Sequence, residues 1–254
     1  MALPYNKNMK VKGKTALVTG GANRLGAAVA VALAEQGCGI VLHYHSSGHD
    51  AMTTAKKIEA AGAELYLVRQ DLSRPEAAEE LFQKLEELGA APHILINSAG
   101  SYPRSDFNGM GWNDAETALM LNSFAPFSLS RQFSRLPAAA CIINVLDARM
   151  VDYDRQHLAY HISKRVLHDL TRVLSVELAP GIRVNGVAPG IILPDHPKDP
   201  DLVEKYRQGN PLKKIGTVEE YVRTVLFLIS NDFITGQIIF VDGGRHLRGR
   251  FYGS

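Results

Sequence analysis

Short apolar runs rich in β-branched residues alternate with longer amphipathic stretches from residue 15 to near the end of the chain. The runs TALVT (15–19), GIVLHY (39–44), ELYLVRQ (64–70), HILIN (93–97), CIINVL (141–146), IRVNGVA (182–188) and IIFVD (238–242) read as seven strands. Between them RLGAAVAVALAEQG, AMTTAKKIEAAG, PEAAEELFQKLEELG and YHISKRVLHDLTRVLSVELA carry apolar residues at helical spacing, several stopping at glycine. This alternation predicts an α/β fold, a parallel sheet built from βαβ units with helices on both faces. The rhythm breaks between Ile191 and Lys214, where four prolines and the run DHPKDPDLVEKYRQ predict an inserted substrate loop or lid.

With 254 residues, 46% of them hydrophobic, the chain can bury a core of ordinary size, and no linker or break in composition divides it. One domain spanning 1–254 is expected. A net charge of +2, spread along the chain, argues against a nucleic-acid partner. No stretch approaches the roughly 18 apolar residues that cross a bilayer, and the first residues hold no apolar signal core, so a cytoplasmic protein without a membrane partner is expected. Cys38 and Cys141 lie far apart with no metal-ligand spacing, as buried thiols in a reducing compartment would. No metal is expected.

The first strand runs directly into TGGANRLG and an Ala-rich helix, the place where a dinucleotide pyrophosphate meets a helix N-terminus. Gly20 allows the tight turn and Gly26 the close approach of helix and strand, with Asn23, Arg24 and Leu25 between them. After the second strand, HYHSSGHD has no acid before Asp50. His45, Ser46 and Ser47 can donate to a phosphate and Arg24 adds positive charge, so NADP(H) is favoured over NAD(H). Asp71 and Leu72 occupy the usual adenine position, and NSAG sets Asn97, Ser98, Ala99 and Gly100 beside the cofactor.

Asp147, Tyr160 and Lys164 carry the candidate chemistry. Tyr160 and Lys164 share a helix face, where an ammonium can lower the phenol from its ordinary value of roughly 10. Asp147 ends a buried strand, where desolvation would favour its neutral, proton-donating form. Taken singly, a Tyr–Lys pair can be a snorkelling surface pair and an Asp a loop cap. His157, His161 and His168 read as surface or packing residues, and Asp152 and Asp154 as a solvated loop. Trp112 and Phe107 could border the substrate cleft or pack in the core.

With these motifs, Asn122, and Pro189–Gly190 with Ile192 beyond, residues 11–244 resemble the short-chain dehydrogenase/reductase family. The resemblance implies a doubly wound Rossmann fold and hydride transfer from a nicotinamide. It casts Tyr160 as proton donor, Lys164 on the nicotinamide ribose, and Asn122 holding a water linked to the lysine. It also implies a homo-oligomer, usually a tetramer. Arg24 stands where the family's glycine motif has its second glycine, Ser98 where it has a second asparagine, and Asp147 where it has its substrate-binding serine. Arg24, HYHSS, Asp147 and the later DGGRHLR look like the pteridine reductase branch, including bacterial dihydromonapterin and dihydrofolate reductases. There the pterin is thought to stack between nicotinamide and an aromatic matched by Tyr102, with Arg24 near both phosphates and pterin. Ser46 and Asn23 replace basic residues that some pteridine reductases carry. The tail RHLRGRFYGS could reach a neighbouring subunit's site.

An ionised carboxylate cannot donate to a carbonyl oxygen as serine does, whereas reduction of a C=N bond needs a proton on nitrogen. The chain therefore reads as an NADPH-dependent reductase of a small pterin or dihydrofolate-like molecule, with Arg24, Tyr102, Asp147 and Tyr160 touching the substrate. A carbonyl reductase of the same fold and a non-catalytic NADP-binding sensor are the rivals.

Overall fold

The computed structural model describes residues 11–193 and 199–247. Seven parallel strands, β1 (Thr15–Thr19), β2 (Gly39–Tyr44), β3 (Leu65–Arg69), β4 (Ile94–Asn97), β5 (Cys141–Val145), β6 (Arg183–Pro189) and β7 (Ile238–Val241), form one sheet in the order β3-β2-β1-β4-β5-β6-β7. All seven coincide with the apolar runs, and the sheet is the doubly wound Rossmann type expected of them. Alternate strand residues face opposite layers. Ala16, Val18, Leu42 and Ile96 pack with Val29 and Leu33 of α1 (Arg24–Ala34), Ile58 of α2 (Gly48–Ala60) and Val225 of α8 (Val218–Ser230). Leu17, Val41, Leu95 and Ile142 pack instead with Leu81 of α3 (Ala77–Glu87), Phe133 of α5 (Ala125–Phe133) and Leu174 of α6 (Leu158–Glu177). Burial on both faces is why these strands read as continuous apolar runs rather than alternating ones.

Three helical regions escaped the periodicity. Between β4 and β5, α4 (Trp112–Leu119) runs through a π-turn (Met120–Phe124) into α5, and Pro126 is tolerated because it falls in the first turn of α5. Helix α8 begins at a reciprocal capping box of Thr217 and Glu220, a signal present in the sequence and unread. Within the 191–214 segment, α7 (Pro200–Gln208) is capped by Asp199 and buries no side chain, while 194–198 lie outside the described residues. Cys38 and Cys141 are free and buried, which pushes their thiols up to about 12 and about 11 respectively. Among the described residues no helix is long and apolar enough to cross a membrane.

The order of strands reverses between β1 and β4, and the C-terminal ends of β1, β4, β5 and β6 open there into a cleft of about 500 Å³.

Candidate active site

The cleft floor is the glycine turn. Gly20 has φ +62°, and a Cβ there would lie 2.8 Å from Ala99 Cα; a Cβ on Gly26 would lie 2.4 Å from the Gly20 carbonyl oxygen. Backbone fills the space a side chain would need, leaving a cradle for a pyrophosphate at the start of α1, whose first turn holds no acid. Thr19 Oγ1 accepts from the backbone N–H of Ser98 (3.0 Å) and Ala99 (3.1 Å), tying the ends of β1 and β4 together. Buried His43, unnoticed in the sequence, supports the turn from below. Its Nδ1 accepts from Gly20 N at 3.2 Å, which leaves the Nε2 proton for Gln70 O at 2.9 Å, and burial holds the imidazole neutral with its pKa lowered to about 4.

Asn23, Arg24, Leu25, Gly26, Ser98 and Gly100 line the cleft from this side, and Pro189, Gly190 and Ile192 from the end of β6. Arg24 adopts φ +50°, the left-handed conformation of the glycine it replaces, and its Nη2 donates to Leu193 O at 3.2 Å. For a side chain this backbone costs roughly 1–2 kcal/mol, and such strain marks sites where the residue itself is needed. Asn23 Nδ2 donates to Asp50 Oδ2 at 2.9 Å and to Ser47 Oγ at 3.5 Å.

The adenine-side candidates look different in three dimensions. His45 and Ser46 are exposed beyond β2 and Ser47 half-buried. The Asp71 carboxylate is spent on the backbone N–H and hydroxyl of Ser73, which hold it below the usual range, and Leu72 is buried in the core. Asn97 turns inward, its Nδ2 donating to Asn144 Oδ1 at 2.8 Å, and Asn144 Nδ2 continues to Thr171 Oγ1 at 2.9 Å. At Leu72 and Asn97 the side chains pack into the core and complete the sheet, while half-buried Asp71 closes its turn through Oδ1 alone.

Asp147 follows β5 and caps a 3₁₀ turn (Ala148–Val151), Oδ1 accepting from Arg149 N at 2.7 Å. Its Oδ2 accepts from the Tyr160 hydroxyl at 2.8 Å. The carboxyl is thus both a loop cap and the partner of the tyrosine. Lys164, on the next turn of α6, does not reach the phenol oxygen: its Nζ donates to Val145 O at 2.7 Å. The expected lowering of the phenol is therefore reversed. Burial first, then the charge and hydrogen bond of Asp147, raise Tyr160 well above the ordinary tyrosine value. Burial lowers Lys164 to about 8, against the raising effect of Asp147. Asn122 sits in the π-turn, fully buried, with Oδ1 accepting from Ser101 N at 2.9 Å and Nδ2 donating to Ser163 Oγ at 3.1 Å.

The wall facing Tyr160 is a network invisible in the sequence. Asp154, taken there for a solvated loop residue, accepts from Tyr102 OH (2.8 Å), Arg149 Nη1 (2.9 Å) and Gln156 N (3.0 Å), with His157 Nδ1 at 3.1 Å. Burial works to raise its carboxyl, but hydrogen bonds from Gln156, Tyr102 and His157 outweigh it and hold Asp154 well below the usual range. His157 stacks on Tyr102 with centroids 3.8 Å apart, and Tyr102 meets Tyr160 edge to face at 4.6 Å. One face of Tyr102 is thus taken by His157, and a flat ligand has at most the other. His157 backs the cleft wall through Tyr102, whereas His161 is buried with burial lowering its pKa, and His168 pairs with Asp169. Phe107 and Trp112 are 85% and 82% exposed, so neither packs in the core, and neither lines the cleft.

Asp154→Asn should cost about 1.5–3 kcal/mol of stability, as hydrogen bonds to a charged group do. Because the folded carboxyl is depressed, that contribution is full above about pH 4 and is lost as pH falls toward the folded value. Urea denaturation of both proteins at neutral and acid pH checks the size of the gap and its closing.

The cleft gains further residues that the sequence reading did not name. Arg149 enters from the 3₁₀ turn, Tyr206 from α7, and Arg245 from a second 3₁₀ turn (Arg245–Leu247), where it lies 3.8 Å from Asp152. Residues 248–254, the rest of the tail, are outside the described residues. Among the described residues no group of three or more His, Cys, Asp and Glu is arranged to hold a metal ion. The arrangement suits a dinucleotide laid from the glycine turn to Lys164, with its reactive end beside Tyr160 and Asp147.

A family model described as enoyl-(acyl carrier protein) reductase matches residues 20–246. The 3-oxoacyl-[acyl-carrier-protein] reductase FabG of Aquifex aeolicus is 31% identical over 245 residues, covering 93% of this chain and 98% of its own. The promiscuous reductase LugOII, which catalyses keto-reduction at C1 in lugdunomycin biosynthesis, superposes with a TM-score of 0.86 at 31% identity, over 94% of this chain and all of its own. FolM alternative dihydrofolate reductase 1 of Brucella canis, complexed with NADP, gives 0.85 at 29% identity, over 95% and 97% of the two chains.

Proposed function

The chain belongs to the short-chain dehydrogenase/reductase family, and from that premise we propose that it is an NADPH-dependent reductase of a C=N bond in a pterin or dihydrofolate-like substrate. The observation that carries this reading is Asp147 in the place of the family's serine, with the Tyr160 hydroxyl donating to it at 2.8 Å. Bound NADPH supplies a hydride to the ring carbon and is oxidised. Asp147 gives a proton to the adjacent ring nitrogen, directly or through water, so that C=N becomes CH–NH. Tyr160, already hydrogen-bonded to Oδ2, passes its hydroxyl proton to that oxygen while taking one from solvent, so that both groups end as they began, and Lys164 binds the nicotinamide ribose. Asn122 shapes the turn beneath and holds the water that leads to Lys164. Arg24, strained into the glycine conformation, serves the pyrophosphate and the substrate together, and Tyr102, backed by His157, borders the flat ring. The likeness to the FolM dihydrofolate reductase supports the substrate class.

One observation favours a second reading, reduction of a carbonyl. Both oxygens of Asp147 already accept hydrogen bonds, from Arg149 N and the Tyr160 hydroxyl, an arrangement suited to orienting the tyrosine, and FabG and LugOII act on oxo and keto groups. Tyr160 alone would then protonate the carbonyl oxygen, with Asp147 orienting it. NADPH oxidation by the purified protein separates the two. Turnover with dihydropterin and dihydrofolate is the expected result, and turnover confined to a ketone or an acetoacetyl thioester would sink the first reading.

Lys164 sets the alkaline limit. With its pKa lowered to about 8, the ammonium is present below that pH and lost above it, so kcat/KM should fall as pH rises through about 8. Since the Asp147 charge raises Lys164, the limb in Asp147→Asn should move to lower pH, which residual activity measured across a pH series would register.

A further inference from the structure

We infer that Arg69, at the end of β3, is the cation that binds the 2′-phosphate of NADP(H). The inference rests on NADP(H) being the cofactor and not on the identity of the substrate. The loop after β2 offers the His45 imidazole and the Ser46 and Ser47 hydroxyls, but no permanently charged group. Asp50, the first acid beyond it, is turned back to Asn23 Nδ2 at 2.9 Å. A phosphate dianion held only by hydroxyls would lack a counter-charge.

The neighbouring strand supplies one. Arg69 pairs with Tyr44 in the β2–β3 register, is exposed, and donates through Nε to His45 O at 3.1 Å. That bond fixes the guanidinium alongside the His45–Ser47 loop, and the two Nη nitrogens keep the planar fork that grips a phosphate through paired bonds. Ser47 joins the loop to the glycine turn through Asn23 at 3.5 Å, so Arg69, the loop and the pyrophosphate cradle form one continuous rim. Other cations nearby are directed elsewhere. Lys84 Nζ lies on Gln70 Oε1 and Arg69 O, and Arg24 Nη2 reaches Leu193 O on the far side of the turn. A basic residue missing from the β2–α2 loop is thereby replaced from β3.

Calorimetric titration of the full chain with NADPH and with NADH tests this without any turnover. Arg69→Gln should weaken NADPH roughly tenfold, as loss of a charged hydrogen-bonding partner does, and leave NADH within about twofold. Arg69→Lys should restore most of the NADPH affinity, and the wild-type preference should shrink with added salt more steeply than that of Arg69→Gln. Equal weakening of both cofactors, an unchanged NADPH affinity in Arg69→Gln, or a wild type without preference for NADPH would each overturn the assignment. Titration with 2′,5′-ADP against 5′-ADP should reproduce the same difference on the phosphate alone.

Discussion

Replacing Tyr160 with phenylalanine should lower kcat by roughly 10²- to 10⁴-fold, the range of a positioned acid, while NADPH affinity stays within about twofold. The substitution removes one oxygen and little else. The ring keeps its edge-to-face contact with Tyr102, and the local backbone is held by the Ser163 hydroxyl, which donates to the Tyr160 carbonyl at 2.7 Å. Asp147 loses its 2.8 Å donor but keeps Arg149 N, so the 3₁₀ turn stays capped. Since burial and Asp147 raise the phenol well above its ordinary value, the hydroxyl remains protonated throughout the working range and contributes no alkaline limb of its own. Steady-state and single-turnover rates with NADPH, beside a binding titration, check the split. A rise in KM with kcat preserved would mean that the hydroxyl only binds substrate.

Asp147→Ser should cost a similar 10²-fold or more on dihydropterin and raise turnover of simple ketones. Serine is as good a cap as aspartate, so the turn after β5 should hold and thermal stability should change little. The chemistry inverts: a hydroxyl stays neutral and can donate to a carbonyl oxygen at any working pH, but is too weak an acid to protonate ring nitrogen as a carboxyl can. Both substrates measured on both proteins give a double comparison in which general damage lowers the two activities together. Loss on ketones with pterin activity retained would contradict the assignment of the carboxyl as the source of the proton.

Much of the site could be read along the chain because its signals are local. The glycine turn is eight consecutive residues, and Tyr160 and Lys164 share one helix face. The strands were legible because both faces of the sheet are buried. Helices α4 and α5 were not, since a π-turn and Pro126 break the 3.6-residue period between them, and the capping box of α8 was present but unread. Asp154 resembled a solvated loop residue because nothing within a few positions reveals that Tyr102, 52 residues away, donates to it.

Periodicity and spacing alone establish the parallel sheet and the glycine turn, since each depends on neighbours within one element or on the alternation of elements, whereas the roles expected of Asp147, Tyr160 and Lys164 came with the family resemblance. Which way those residues act depends on distances between elements. The fold turned Lys164 toward Val145 O instead of the phenol, raised Tyr160 by burying it beside Asp147, backed Tyr102 with His157, and brought Arg69 to the loop after β2. Desolvation and charge proximity are properties of three-dimensional surroundings, and a linear sequence carries them only once the sheet has brought distant segments together.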